Sequence, residues 1–363
     1  MQKVMIYGAQ GTALAVYKAM VKGKLPIEFL GFLVTSLEEN PSLLKNFPVY
    51  ELESYASKLS TLDKELLQIW IATPDFVMNQ IENELYKFNL QNIKRIDSIT
   101  LAKLQENMFA NDQYLLPLTE YEIKSINTES YLQIFQTKFY RDQRLKNNYP
   151  SYDYLYPLQV GASLTTERVT TLVDCFGEHI SHKNGDYCEL TGWYWIWQNV
   201  VLKDRNFQKK YYGLNHYRRI FELTSDDIEK IFSNNIDVIL PFPLSYEPNM
   251  EIHHQRYLNN FEWQATLQAL NEFYPNEMSN YQLILNQEYI FNYNIFIARG
   301  DIFDEYCSWL FPLLSRIEEL INPDGTRLAN RYIGYIAESL ETIYFLSKKE
   351  KLKIACKGCR LLT

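Results

Sequence analysis

The chain has 363 residues, enough for two domains, and its 47% hydrophobic content can fill two cores. A net charge of -8 argues against a nucleic-acid partner, whose phosphates call for a basic surface. Cys175, Cys188, Cys307, Cys356 and Cys359 are odd in number and lack the spacing of a disulfide framework, which points to a reducing compartment. The N-terminus does not read as a secretory leader, and no apolar run reaches the roughly eighteen residues of a membrane span. The expected location is therefore cytoplasmic.

In chain order, residues 3–7 (KVMIY) predict a short buried strand, followed by the turn Gly8-Ala9-Gln10-Gly11-Thr12 and a helix. Residues 28–36 and 66–73 predict two more strands. Pro74 and Asp75 open a helix in which Phe76, Val77, Ile81 and Leu85 recur at helical spacing, and 92–98 predict a further strand. Strands alternating with helices imply a parallel α/β sheet, here a first domain of residues 1–105. Residues 106–130 read as a polar connector. A strand from Tyr131 (YLQIFQT) opens a second, mixed α/β domain that runs to residue 347, with NNYPSYDYLYP as a tyrosine-rich loop.

Residues 348–363 read as a basic tail. Six basic residues and one acidic residue lie in 348–360, suited to a solvated terminus or to peripheral contact with an anionic membrane surface. The Cys356-x-x-Cys359 pair lacks the second pair that a zinc site needs. The many aromatics, 28 Tyr, 20 Phe and 6 Trp, mostly fill cores, but such rings also make stacking platforms for sugars or bases.

Gly8 and Gly11, between a strand and a helix, form a candidate ligand turn, because glycines there let backbone N–H groups approach a phosphate. The full dinucleotide fingerprint is absent, and the second strand ends Val34-Thr35-Ser36 without the acidic residue that would hold a ribose. A nicotinamide-dependent oxidoreductase is therefore disfavoured. The first hundred residues resemble the small Rossmann-like domain that precedes sugar acyltransferases of the NeuD and PglD type.

The most informative stretch is residues 174–221. It holds a polar loop from Asp174 to Asn184, and then Asp186-x-x-Glu189, which has the form of a helix capping box. Leu190, Trp193, Tyr194 and Trp197 make a buried stripe on the helix that follows. The strand YYGLNHYRRIF ends in His216, Tyr217, Arg218 and Arg219. Two arginine forks beside a histidine suit the oxygens of a diphosphate, and they can neutralise the charge on a departing nucleotide. No Asp-x-Asp stands at a strand end, so no cofactor is implied and a divalent metal is not expected to be essential.

These residues resemble an uncharacterised-domain family found in capsular and exopolysaccharide biosynthesis loci. The matching positions begin Asp174, Gly177, Ile180, Ser181, Asn184, Tyr187, Cys188, Glu189, Leu190 and Thr191. They continue with Tyr194, Trp195, Trp197 and Asn199, and then Gly213, Leu214, His216, Tyr217, Arg218, Arg219 and Phe221. Residues 293–314 and 331–345 match as well. The resemblance implies a GT-A-like fold and glycosyl transfer, galactose or galactofuranose included, from a UDP-linked nucleotide sugar to an oligosaccharide or lipid-linked glycan. Two departures stand out: Gln136-Thr137-Lys138 replaces a Thr-His-Lys-like turn, and Cys175-Phe176 replaces small polar residues.

The expected assignments follow. Thr137, Lys138, Asp174 and Glu189 border the nucleotide, and His216, Arg218 and Arg219 take the diphosphate. Asn292 and Asn294 hold donor-sugar hydroxyls, and Glu338 or Asp301 is the carboxylate that activates the acceptor hydroxyl. His253-His254 read as part of a surface loop. The competing reading is a non-catalytic module that binds a nucleotide sugar.

Overall fold

The computed structural model describes residues 1–38, 40–124, 131–145 and 151–362. Its first sheet contains β1 (Gln2–Tyr7), β2 (Ile27–Val34), β3 (Leu43–Leu44), β4 (Phe47–Glu51), β5 (Gln68–Ile71) and β6 (Ile93–Arg95). The order is β3-β4-β2-β1-β5-β6, parallel except for the β3 edge hairpin. Alternation along β1 explains its unbroken apolar run. Val4 and Ile6 pack with Val16 and Phe32 on one face, while Met5 and Tyr7 pack with Ile69 and Leu85 on the other. A parallel sheet covered on both faces calls for such a run.

The second sheet takes β7 (Leu116–Pro117), β8 (Leu132–Lys138), β9 (Leu155–Gln159), β10 (Leu172–Val173) and β11 (Tyr211–Asn215). A short strand β12 (Arg219–Ile220) lies outside it, followed by β13 (Val238–Leu240) and a small hairpin, β14 (Leu244–Ser245) with β15 (Tyr289–Ile290). The chain then adds β16 (Ile297–Arg299) and β17 (Ile354–Cys356), and β18 (Arg360–Leu361) pairs with β12. The order is β10-β9-β8-β11-β16-β13-β17-β7, and β16 alone runs against its neighbours. The expected class, a parallel α/β sheet followed by a mixed α/β domain, is the one observed. Trp193 anchors the second core: its ring stacks on Phe296 at 4.2 Å and its Nε1–H donates to the Asn294 carbonyl at 2.8 Å. Burying an aromatic of this size contributes roughly 1.5–3 kcal/mol.

Two expected boundaries move. Residue 105 is not a domain edge, because the helix Ser98–Asp112 runs through it, capped by Asp97, and β7 carries the supposed connector into the second sheet. Residues 125–130, and 146–150 of the tyrosine-rich loop, lie outside the described residues. Nor do residues 348–362 of the expected tail lie loose: β17 pairs with β13 and β7, and Cys356 is fully buried.

The two sheets' domains meet closely. A Cβ on Gly11 would sit 2.9 Å from the ring of Tyr246, so the glycine is what lets that ring in. Buried Lys18 pairs with Glu288, Lys45 bridges Glu247 at 2.8 Å and Glu288 at 3.0 Å, and Gln105 Nε2 donates to the Pro243 carbonyl at 3.0 Å.

Candidate active site

Strands β8 and β11 lie side by side and parallel, so Thr137 and the His216–Arg219 turn emerge together at their carboxyl ends. Open α/β sheets bind ligands at such ends. The turn is held from several sides. His216 N–H donates to the Arg219 carbonyl at 2.9 Å, and Gln136 Nε2 donates to the Tyr217 carbonyl at 3.1 Å. Thr137 Oγ1 donates to the Asn215 carbonyl at 3.2 Å, and Leu362 N–H donates to the Arg218 carbonyl at 2.7 Å.

This rigid turn points its side chains into a cavity of about 740 Å³. Arg218 and Arg219 both line it, and the Arg219 guanidinium lies 3.8 Å from the centroid of the Tyr293 ring. Among the described residues, neither arginine takes part in an ion pair. Their positive charge is therefore presented to the cavity.

Glu338 and Glu189 line the same cavity. Glu338 accepts from the Tyr293 N–H at 3.0 Å and from Asn292 Nδ2 at 3.4 Å. Tyr293 and Asn294 both have left-handed backbones (φ 84° and 49°), and this turn delivers the Tyr293 N–H to the carboxylate. Burial pushes the Glu338 carboxyl up to about 8, helped by the charge of Glu189 and opposed by the Tyr293 N–H and by Arg219 and Arg331. Burial raises Glu189 as well; its Oε1 accepts from Asn294 Nδ2 at 2.6 Å.

The structure corrects several expected roles. His216 is pushed down to about 3 by burial and by its arginine neighbours, so it stays neutral and adds no charge toward a diphosphate. Asp174 is fully buried and accepts from Gly161 N, Ala162 N and Ser181 Oγ at 2.9, 3.0 and 2.5 Å; it shapes its loop and does not border the cavity. Asp301 grips Arg299 with two hydrogen bonds of 2.7 and 2.8 Å, away from the cavity, which removes it as the base. Asn294 lies behind the wall and steadies Glu189, whereas Asn292 lines the cavity.

Glu189 stands at the N-cap position of the helix Leu190–Ile196, but its side chain makes no capping hydrogen bond. Cys188 (φ 51°) breaks the expected unit into helices Asn184–Tyr187 and Leu190–Ile196, and Asp186 instead accepts from the Asn330 N–H at 3.0 Å. His253 and His254 are buried, not on a surface loop: His253 stacks on Tyr246 at 3.5 Å and His254 on Trp263 at 4.1 Å.

The remaining expected residues fall in nearby places. Thr137 lines the main cavity, while Lys138 lines an adjoining one of about 610 Å³ that shares Phe139 and Asp142 with it. Burial lowers the Lys138 ammonium to about 7. Gly8 adopts φ 124°, a value reserved for glycine, and Gly11 faces Tyr246 at the domain interface. A further cavity of about 740 Å³ opens beside this turn, with Gln10, Tyr246 and Arg256 in its wall.

Sequence reasoning missed Arg331, Tyr335, Tyr257 and Tyr246, all of which line the main cavity. One signal was available. Tyr335 and Glu338 fall at i and i+3 on one face of the helix Tyr332–Ser347, which Arg331 precedes as its N-cap residue. Among the described residues, no three His, Cys, Asp or Glu side chains gather as a metal site, and no helix is long and apolar enough to cross a membrane.

With this geometry in view, residues 138–350, more than half of the chain, match the family model described as Domain of unknown function (DUF4422). The chain belongs to the DUF4422 family. It is also similar to a solved apo structure of WbbM, a bifunctional glycosyltransferase, at 26% identity and a TM-score of 0.53. The match covers 64% of this chain and 46% of WbbM, so the DUF4422 chain corresponds to less than half of that protein's length. No curated protein sequence matches the chain. The DUF4422 domain thus has a glycosyltransferase-like α/β fold, and its match region contains the arginine turn and both cavity glutamates.

Proposed function

We propose that the chain is a glycosyltransferase. It moves a hexosyl group from a UDP-linked sugar to a hydroxyl of a glycan acceptor during assembly of a surface polysaccharide, using the second domain as a GT-A-like catalytic unit. One observation carries this reading: two arginines free of ion pairs and a buried carboxylate line a single cavity at the carboxyl ends of parallel strands. The likeness to WbbM supports the reaction class.

In this reaction the acceptor oxygen attacks the anomeric carbon of the donor. The bond from that carbon to the phosphate oxygen breaks, and its electron pair leaves with the nucleoside diphosphate. Arg218 and Arg219 balance the charge that builds on the leaving group. Glu338 takes the acceptor proton once its carboxyl is ionised. Neutral His216 contributes a hydrogen bond. The first domain, similar to that of NeuD and PglD enzymes, serves as a partner for packing.

The test is a panel of nucleotide sugars, scored by thermal shift and by release of nucleoside diphosphate with an acceptor present. A donor that raises the melting temperature and is consumed supports the proposal. Tight binding without turnover assigns the chain instead to a non-catalytic module of an assembly system.

A further inference from the structure

Tyr257 and Tyr335 stand out in the wall of the main cavity. Their rings stack at 4.7 Å with planes 13° apart. Tyr257 is 46% exposed, although His253 packs edge-on against it at 5.6 Å, so the ring is held in place yet left open. Neither phenolic hydroxyl bonds to another described residue. An exposed ring, Tyr257, backed on one face by Tyr335 and carrying a spare hydroxyl in a polar cavity, matches what a sugar ring offers: a C–H face ringed by hydroxyl groups.

The helix decides which sugar this is. Tyr335 and Glu338 are three residues apart on Tyr332–Ser347, about 4.5 Å along the axis and on the same face. A ring whose hydroxyl reaches the Glu338 carboxylate therefore lies beside the Tyr257–Tyr335 pair. The group that gives its proton to Glu338 is the acceptor. The arginines stand on the His216–Arg219 turn beside Thr137, and the adjoining cavity opens through Phe139 and Asp142, so the donor has its own wall.

Resting on the transferase reading, we infer that Tyr257, backed by Tyr335, forms the acceptor subsite and packs against the terminal sugar ring of the glycan.

The experiment uses the full chain and its variants Tyr257→Ala, Tyr257→Trp and Tyr335→Phe. Octyl glycosides of galactose, glucose and N-acetylglucosamine serve as acceptors. The KM for the acceptor is expected to rise about tenfold in Tyr257→Ala with kcat changed less than threefold, and Tyr257→Trp should restore it. The thermal shift given by UDP should keep its unaltered size in every variant. An unchanged acceptor KM overturns the proposal, and so does a lost UDP shift, which would place the nucleobase on this wall. If the unaltered protein consumes no nucleotide sugar at all, the transferase reading itself falls. That outcome is distinct from a protein that turns over donor but ignores Tyr257.

Discussion

The backbone N–H of Leu362 donates to the carbonyl oxygen of Arg218 at 2.7 Å. The last described residue of the chain thus holds the turn that carries both arginines, and the β12–β18 pairing beside it adds Arg219 to Leu361. Removing residues 358–363 is expected to lower kcat/KM at least tenfold with a smaller loss of melting temperature, as steady-state kinetics and calorimetry would register. Unchanged kinetics would show that the turn stands without its brace.

Arg218→Ala and Arg219→Ala should each reduce turnover on the order of a hundredfold if they balance leaving-group charge, with circular dichroism unchanged. Arg219→Lys should recover little, because the Tyr293 ring is 3.8 Å from a planar guanidinium that an ammonium cannot imitate. A collapse of the fold in these variants would mark the arginines as structural.

With Glu338 raised to about 8, the ionised base becomes more abundant as pH rises, so kcat/KM should climb with an inflection near that value. Glu338→Gln should be nearly inactive and flat. The stability effect has the opposite direction. The folded protein keeps a proton that the unfolded chain releases in the ordinary carboxylate range, so this group's contribution to stability falls as pH rises from that range to about 8. Melting temperatures from pH 5 to 9 should therefore drop more steeply in the unaltered protein than in Glu338→Gln.

Because arginines already supply positive charge at the leaving group, EDTA should change turnover by less than about twofold. Strict dependence on added manganese would contradict that assignment of charge.

Gly11→Val should weaken the domain contact, since its side chain must enter space held by the Tyr246 ring; overpacking of this kind costs about 1–3 kcal/mol. Urea unfolding should show the loss, and Tyr246→Ala in the same chain should relieve part of it.

Four of the six strands of the first sheet, β1, β2, β5 and β6, were readable as short runs between turn residues, whereas the edge strands β3 and β4 were not. The arginine turn was readable because two adjacent arginines close a buried strand. Other features depend on distance in space. Nothing local to Asp174 announces that two backbone N–H groups and Ser181 will consume its carboxylate. Asp301 is a local exception: its partner Arg299 stands only two residues before it, yet the pairing forms only because β16 ends and a helix begins between them. The left-handed Cys188 that defeats the capping box is not a glycine, so the sequence carried no warning of the break. Lys348 to Arg360 looked like a solvated run because its charges hide Ile354, Ala355 and Cys356, which enter the sheet.

Tyr246 touches Gly11 with its ring edge and also forms part of the main cavity's wall. A small tilt of the first domain would therefore reshape the space available to substrates, although none of its residues lines that cavity. Laboratory evolution toward new sugars should accordingly return changes in residues 8–12 and at Lys18 and Lys45, remote in sequence from every group that handles the reacting atoms.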